Sequence, residues 1–350
     1  METQDELYQT EPNLLAETYR NQSVNDKPRQ IEKHFDFIDI SEDGLMLLGT
    51  SNLCGRIWSG SIWIYKDYPT EPDIEKCLAG IELESSISSG LWLDGCKKIV
   101  IGCDTGRLHF LSFNIQNGQK DKHYFGTDGI VSEHDDSIVT LDFLNDKSKI
   151  ISGGYDMNIV VWNIETLSSE KSYCPGHSHI VSSVSAQSQQ HNIFASTSLD
   201  GTCLIWDIRL DKPASLLAEN DCGFTASSWI GESLIALGSN NGTISLMDVR
   251  MKQELDKNPC SSRSIFKFKY NYELERLAVC ADELNVYVFS IKENKITNIY
   301  ESNQHEDFVR GLAWNQTTNN LYSCGWDSKI YCHDMSNIKI NDESNVPEKG

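Results

Sequence analysis

One short pattern recurs along this chain at nearly constant spacing, and it constrains the fold more than any other feature. It is an apolar run, a turn carrying Asp or Asn, and then alternating apolar residues. The clearest copies run from Ile150-Ile151-Ser152-Gly153-Gly154-Tyr155-Asp156 to Val161-Trp162-Asn163, and from Ser196-Thr197-Ser198-Leu199-Asp200 to Ile205-Trp206-Asp207. In both, the Asp lies six residues before the Trp. The same offset links Asp104 to Phe110, Asn241 to Met247, Asp282 to Val288 and Asp327 to His333, and a first copy fits if Trp58 takes the Asp place ahead of Ile64. The seven anchors at 58, 104, 156, 200, 241, 282 and 327 stand 46, 52, 44, 41, 41 and 45 residues apart. A unit of four short strands repeats every ~40–45 residues. The period-two alternation in Ile159-Val160-Val161-Trp162 and Thr243-Ile244-Ser245-Leu246-Met247 is that of strands with one buried face. Asp200-Gly201 and Asn241-Gly242 are hairpin turns, because both central positions favour positive φ.

Three histidines extend the pattern. His134, His177 and His305 stand about twenty residues before their turn Asp, as Glu133-His134, Gly176-His177 and Gln304-His305. With these residues the chain resembles the WD-repeat family from about residue 34 to 335, which implies an all-β, seven-bladed WD-repeat β-propeller. In that family the His, a strand Ser or Thr, the turn Asp and the Trp are linked by hydrogen bonds. The implied sets are His134, Ser152, Asp156, Trp162; then His177, Ser196, Asp200, Trp206; and His305, Ser323, Asp327, with His333 in the Trp place. Copies one, two, five and six rest on period and alternation alone. The expected organisation is an acidic tail over 1–30, the propeller over 31–340 and a second tail over 341–350. Pro12 to Tyr19 would supply an outer strand that closes the ring. The linker Asp67 to Lys76, with Pro69 and Pro72, is either a loop or a distorted outer strand.

Charge narrows the function. With 30 Lys plus Arg against 51 Asp plus Glu, the net charge is −21. No basic stripe is available to neutralise phosphates, which argues against nucleic acid, and no polybasic segment argues for a membrane surface. No stretch approaches the ~18 apolar residues of a membrane helix, and the polar start is not a signal peptide. The 11 cysteines contain no C-x-x-C pair, so neither a zinc ribbon nor a thioredoxin motif is expected. They read as reduced thiols of a protein of the cytoplasm and nucleus. His, Ser and Asp together look like hydrolytic triads, but the sets repeat copy after copy, whereas a catalytic constellation occurs once. G-x-S-x-G, a Gly-rich phosphate loop and H-E-x-x-H are all missing. His177-Ser178-His179 has no accompanying ligand cluster. The expectation is no enzyme, no cofactor and no metal, but an interaction platform whose function lies on its surface.

Two surface features stand out. Residues just before each turn Asp (Cys103, Tyr155, Leu199, Asn240, Ala281 and Trp326) should point to one face, joined by His179 and Phe308 from the inner-strand starts. Trp326 and Phe308 would form an aromatic patch there, or pack between blades. The segment Leu53-Cys54-Gly55-Arg56-Ile57-Trp58-Ser59-Gly60 reads as a longer loop, with Trp58 exposed between glycines and suited to insertion in a partner.

The run from Leu47 to Asp67 is similar to the first blade of methylosome WD-repeat subunits, the non-catalytic partners of protein arginine methyltransferase 5. Glu133-His134-Asp135-Asp136, and His305-Glu306-Asp307-Phe308-Val309-Arg310 with Gly325-Trp326-Asp327, agree with it. The resemblance implies a scaffold that activates the methyltransferase, four copies of each subunit forming the complex. The first-blade loop would dock on the partner's N-terminal barrel through Trp58, flanked by Arg56 and Leu53. The clients implied are basic, arginine-rich proteins such as histones and spliceosomal Sm proteins. Transfer from S-adenosylmethionine would belong to the partner. Glu133, Asp135, Asp136, Glu306 and Asp307 would line an acidic face. A competing reading is a substrate receptor of a cullin ubiquitin ligase, because Trp206-Asp207-Ile208-Arg209 matches a W-D-x-R box and Asp248-Val249-Arg250 is a partial copy. A third is a generic histone-binding scaffold.

Overall fold

A computed structural model describes residues 31–54, 57–95, 97–116, 122–144 and 147–336. The expected tails and the segment Pro12 to Tyr19 lie outside the described residues. Within them the repeat becomes seven antiparallel sheets, six of four strands and a seventh of three among the described residues. Blade three shows the plan. An inner strand, Ile138–Phe143, is followed by Lys149–Gly154, Ile159–Asn163 and an outer Ser168–Tyr173. The two middle strands are buried almost throughout, because a blade is covered on both faces by its neighbours. That is why they read as continuous apolar runs, while the outer strand is largely exposed.

The inner strands follow one another around a closed ring, with His34–Ile40 of blade one packed against Val309–Trp314 of blade seven. Every inner strand carries a bulge at the same place, as between Val181 and Ser183 or Val309 and Gly311. A bulge leaves one residue unpaired and bends its strand. Side chains of the inner strands then reach the backbone of the next blade. Asp39 accepts from the Trp92 N–H (3.0 Å), Thr140 from Val184 (3.1 Å), Asp142 from Ala186 (2.8 Å) and Ser185 from Trp229 (3.3 Å).

The three complete polar sets form as the resemblance implies. His134 bonds Asp156 through Nδ1 (2.9 Å) and Ser152 through Nε2 (2.7 Å), and Trp162 Nε1 donates to the same Ser152 oxygen (2.8 Å). His177 repeats this with Asp200 (3.0 Å) and Ser196 (2.6 Å), and Trp206 donates to Ser196 (2.7 Å). In blade seven His305 joins Asp327 (2.9 Å) and Ser323 (2.8 Å), while His333 meets Ser323 (2.8 Å) and the Tyr300 hydroxyl (3.0 Å). A carboxylate at Nδ1 requires that nitrogen to carry the proton, so Nε2 accepts the serine hydroxyl. Burial pushes His177 down and His333 down to about 4, keeping both neutral.

Aligned on the bulge, the copies correct three assignments. Tyr65, Leu111 and Phe289 occupy the Trp place, each one residue after the expected Ile64, Phe110 and Val288. The turn letters misled here because the bulge, not the Asp, sets the register. Cys103 and Ala281 are accordingly buried, and Asp104 and Asp282 take the face positions expected of them. Blade one builds its own polar set instead. Trp63 donates to Ser61 (2.6 Å), Thr50 lies 2.8 Å from Ser61, and both hydroxyls reach Glu32, whose carboxyl burial pushes up.

Blade one also closes the ring. Its Asp67–Lys76 linker is a loop ending in a 3-10 turn, Ile74–Lys76, and it lies on blade seven. Thr70 accepts the Ile330 N–H (2.9 Å) at the edge of the third strand. Tyr68 stacks on Tyr322 at 4.5 Å, accepts from Asn315 (2.8 Å) and donates to Gly44 O (2.5 Å).

Two outcomes follow from this packing. Tyr68→Ala should cost about 1–3 kcal/mol, since it removes a half-buried ring and leaves Asn315 with one fewer partner. Urea denaturation measures it, and an unchanged midpoint contradicts the strap. Asp200 sits at about 2: burial raises it, but hydrogen bonds from Thr202 and the Ser178 N–H and the nearby His177 outweigh that. A folded pKa below the usual 3.8 contributes stability above about pH 4 that is lost as pH falls towards 2. Asp200→Asn should therefore destabilise at pH 7 and flatten the acid limb between pH 4 and 2. Parallel limbs for both proteins would contradict this.

Candidate docking surface

The first hairpin departs from the rest. In six blades a residue of the second strand pairs with one six positions later, as in Gly153 with Ile159 or Gly238 with Ile244. In blade one the equivalent Gly49 pairs with Ile62, thirteen positions later. The seven extra residues prolong the ladder. Strands β2 (Met46–Cys54) and β3 (Ile57–Tyr65) run on through Thr50–Ser61, Ser51–Gly60, Asn52–Ser59 and Leu53–Trp58 to Cys54–Ile57. Trp58 is therefore on a strand, opposite Leu53, and not at the tip of a longer loop as expected. Strand pairing orients it more firmly than a loop would. Arg56 lies outside the described residues. Leu53 and Trp58 are 47% and 40% exposed, so this rung offers apolar surface to solvent.

Trp58 is not isolated. His34, on strand β1 (His34–Ile40), places its ring 6.3 Å from Trp58 and 5.0 Å from Trp326. Trp326 meets Phe308 edge-on at 5.8 Å. The Arg310 guanidinium lies 4.2 Å from the Phe266 ring, 4.8 Å from Trp326 and 4.9 Å from Phe308, and donates to Asp282 (2.6 Å). The result is a continuous aromatic row from blade one across blade seven to blade six. Phe308 is exposed, while Trp326 is half-buried and packs across the blade boundary. The two alternatives open in the sequence thus both hold. Trp326 donates its indole N–H to Asp36 (3.1 Å), which also accepts from Ser51 (2.5 Å). Burial pushes Asp36 up to about 7, against the pull of these two hydrogen bonds and of Arg310.

His34, Asp36, Phe266 and Arg310 escaped the sequence reading as site residues. Three of them have a common signal. Asp36, Phe266 and Arg310 are the unpaired residues of the bulges in blades one, six and seven. Each is the second residue of its inner strand's bulge, so an alignment on inner strands would have found them.

The acids fall on loops at the inner-strand starts. Glu306 pairs with Lys329 (3.0 Å), and Asp307 accepts from the Phe308 N–H (2.8 Å) beside the row. Glu133 accepts from Ser169 (3.0 Å) and Asp136 from the Ser137 N–H (2.7 Å) in blade three, with Asp135 exposed between them. Arg209, mostly exposed, is forked onto Asp207 through Nε (2.9 Å) and Nη2 (2.5 Å).

The Ser–His–Asp sets have the geometry of a hydrolytic triad, yet they cannot act as one in this fold. Ser152, Ser196 and Ser323 are fully buried, and Ser152 and Ser196 also accept an indole N–H. A nucleophile must reach its substrate. Among the described residues no group of three or more His, Cys, Asp or Glu is arranged to hold a metal ion. Among the described residues no helix is long and apolar enough to cross a membrane.

Comparison with known proteins fits these features. The family model described as WD domain, G-beta repeat matches residues 127–163, 168–207 and 296–334, the copies that hold His134, His177 and His305. The chain is 28% identical over 317 residues to Methylosome protein WDR77 of Xenopus laevis, covering 88% of this chain and 91% of that protein. A shorter match, 40% over 77 residues, is to human DDB1- and CUL4-associated factor 5 and covers 22% of this chain and 8% of that protein. A chain in the crystal structure of a mitotic checkpoint complex superposes with a TM-score of 0.69 at 14% identity, over 89% of this chain and 95% of that one, a likeness of fold alone. The chain is a seven-bladed WD-repeat β-propeller, similar over most of its length to a methylosome WD-repeat protein.

Proposed function

We propose that this chain is a non-catalytic scaffold that binds and activates a type II arginine methyltransferase, protein arginine methyltransferase 5, as four copies of each subunit. The observation that carries the reading is the protruding Leu53–Trp58 rung, on a chain similar over most of its length to a methylosome protein. Two exposed apolar side chains held in register on a ladder need little ordering on binding, which favours an anchor role. The row through His34 and Trp326 to Phe308 extends the same surface, with Trp58, Leu53, Phe308 and Trp326 as contact residues. Arg56 is proposed to flank them. The complex would work in the cytoplasm and the nucleus.

Arginine-rich clients would be gathered by charge. Glu306 and Asp307 stand at the rim of the row, and an acidic face raises the on-rate of basic tails by ~10–10³ in favourable cases. A cullin-receptor reading draws on the Trp206-Asp207-Ile208-Arg209 box and on the 40% match, which reaches only a small part of the relative. The fork of Arg209 onto Asp207 already engages two of its five N–H donors within its own blade.

Trp58→Ala should abolish co-purification with the methyltransferase while the circular dichroism of the propeller is unchanged. Loss of a central anchor costs at least ~2 kcal/mol, about 30-fold in affinity. Unaltered capture would overturn the docking assignment. Arg209→Ala should leave that capture intact; if it instead removed a cullin adaptor, the alternative would stand. Capture of a histone tail should fall steeply from low to high salt, and a flat response would contradict the electrostatic role.

A further inference from the structure

The inner strands surround a central channel with a cavity of about 650 Å³, within the ~300–1,000 Å³ range of small-molecule sites. One mouth lies among Tyr155, Leu199, Asn240, Phe266 and Arg310, next to the aromatic row. The wall is rich in hydroxyls, including Thr140, Ser182, Ser183, Thr225 and Ser227. Although the chain carries −21, four cations line this cavity: Lys147, Lys267, Lys269 and Arg310.

Two of the four are satisfied. Lys147 pairs with Glu42 (2.7 Å) and Arg310 with Asp282 (2.6 Å). Lys267 and Lys269 are two residues apart on Ile265–Asn271, in a regular stretch of ladder, so both face the channel. Neither ammonium makes a hydrogen bond or an ion pair among the described residues. The nearby carboxylates are engaged elsewhere: Asp39 holds the Trp92 N–H, and Asp142 holds those of Phe143 and Ala186. Asp142 attracts Lys269, but burial pushes its own carboxyl up towards the neutral form. Enclosure, and then the charge of Lys269, push Lys267 down, against smaller opposing pulls from Cys280, Cys324 and the Asp39 carboxylate. Two like charges enclosed without a partner are unfavourable unless an anion joins them.

We propose that the channel is a binding site for a small phosphate-type oxyanion, inorganic or carried on a small metabolite, held between Lys267 and Lys269 at blade six. Ammonium groups serve phosphates as compact point charges, and a polyanion can bridge two of them. The wall hydroxyls would supply neutral hydrogen bonds. Nothing in this assignment depends on the docking surface or its partner.

Calorimetric titration of the full chain at low ionic strength tests it, with inorganic phosphate, inorganic pyrophosphate and an acidic octapeptide of glutamates as separate ligands. Saturable pyrophosphate binding is expected, at least tenfold weaker in K267M and in K269M, retained in K267R and unchanged in K257M, at an exposed outer-strand lysine. Phosphate as tight as pyrophosphate would indicate the free ion, and a clear preference for pyrophosphate a phosphorylated metabolite; both support the site. No saturable heat, equal affinity in both lysine variants, or tighter binding of the octapeptide would overturn it. Should the Met variants fail to fold, acetylation of the wild-type chain decides: pyrophosphate must slow labelling of Lys267 and Lys269 but not of the exposed Lys257. Equal labelling with and without it contradicts the proposal.

Discussion

Closure of the ring between blades seven and one is the constraint on which the rest of this structure depends. Blade sheets have edges, and a ring that fails to close leaves them open to pairing with other chains. Here the seam is made by contacts far apart in sequence. Trp326 donates to Asp36, Ser328 to the Lys33 carbonyl and Ile330 to Thr70, and Tyr68 stacks on Tyr322. The same seam builds the candidate docking surface. His34 bridges Trp58 and Trp326, and Arg310 gathers Phe308, Trp326 and Phe266. Rigidity there fixes the position of the side chains proposed to contact a partner, so closure and the proposed recognition draw on one set of interactions.

Elsewhere the blades solve a single problem repeatedly. A sheet covered on both faces still contains polar groups that must be paired. The Trp–Ser–His–Asp chain pairs four of them from two strands, the turn between them and an adjoining loop. That use consumes the donors and acceptors a hydrolase would need and seals the serine from solvent. The proposed functions accordingly lie where the blades differ: at the lengthened first hairpin, the bulge residues around the seam and the lysines of the channel.

These differences also explain what was readable from the letters. Blades three, four and seven keep a His, a hydroxyl and an Asp at fixed spacing, so their polar sets were legible in full. Blades one, two and six lack that spacing, and their register follows the inner-strand bulge, which shows on aligning the inner strands and not as a fixed residue type. The readings there fell one residue short at Tyr65, Leu111 and Phe289. Trp58 was legible as an exposed side chain because glycines flank its segment. Its seat on a strand was not, since the ladder is prolonged by pairing of Asn52, Leu53 and Cys54, and not by any turn motif. His34 and Asp36 look like ordinary alternation in β1, and only the closed ring brings them against Trp326. The Asp67–Lys76 linker reads as a loop, but its role as a strap appears only when blade seven lies beneath it.

Hydrogen exchange of the backbone, followed on the propeller alone and with the methyltransferase bound, tests the central claim most directly. If the seam is the docking surface, binding slows exchange in the hairpin from Ser51 to Ser61 together with the segments around Phe308 and Trp326, while Asp207 to Arg209 is unaffected. Protection confined to the Asp207–Arg209 side, with the hairpin and seam exchanging as in the free protein, would contradict it.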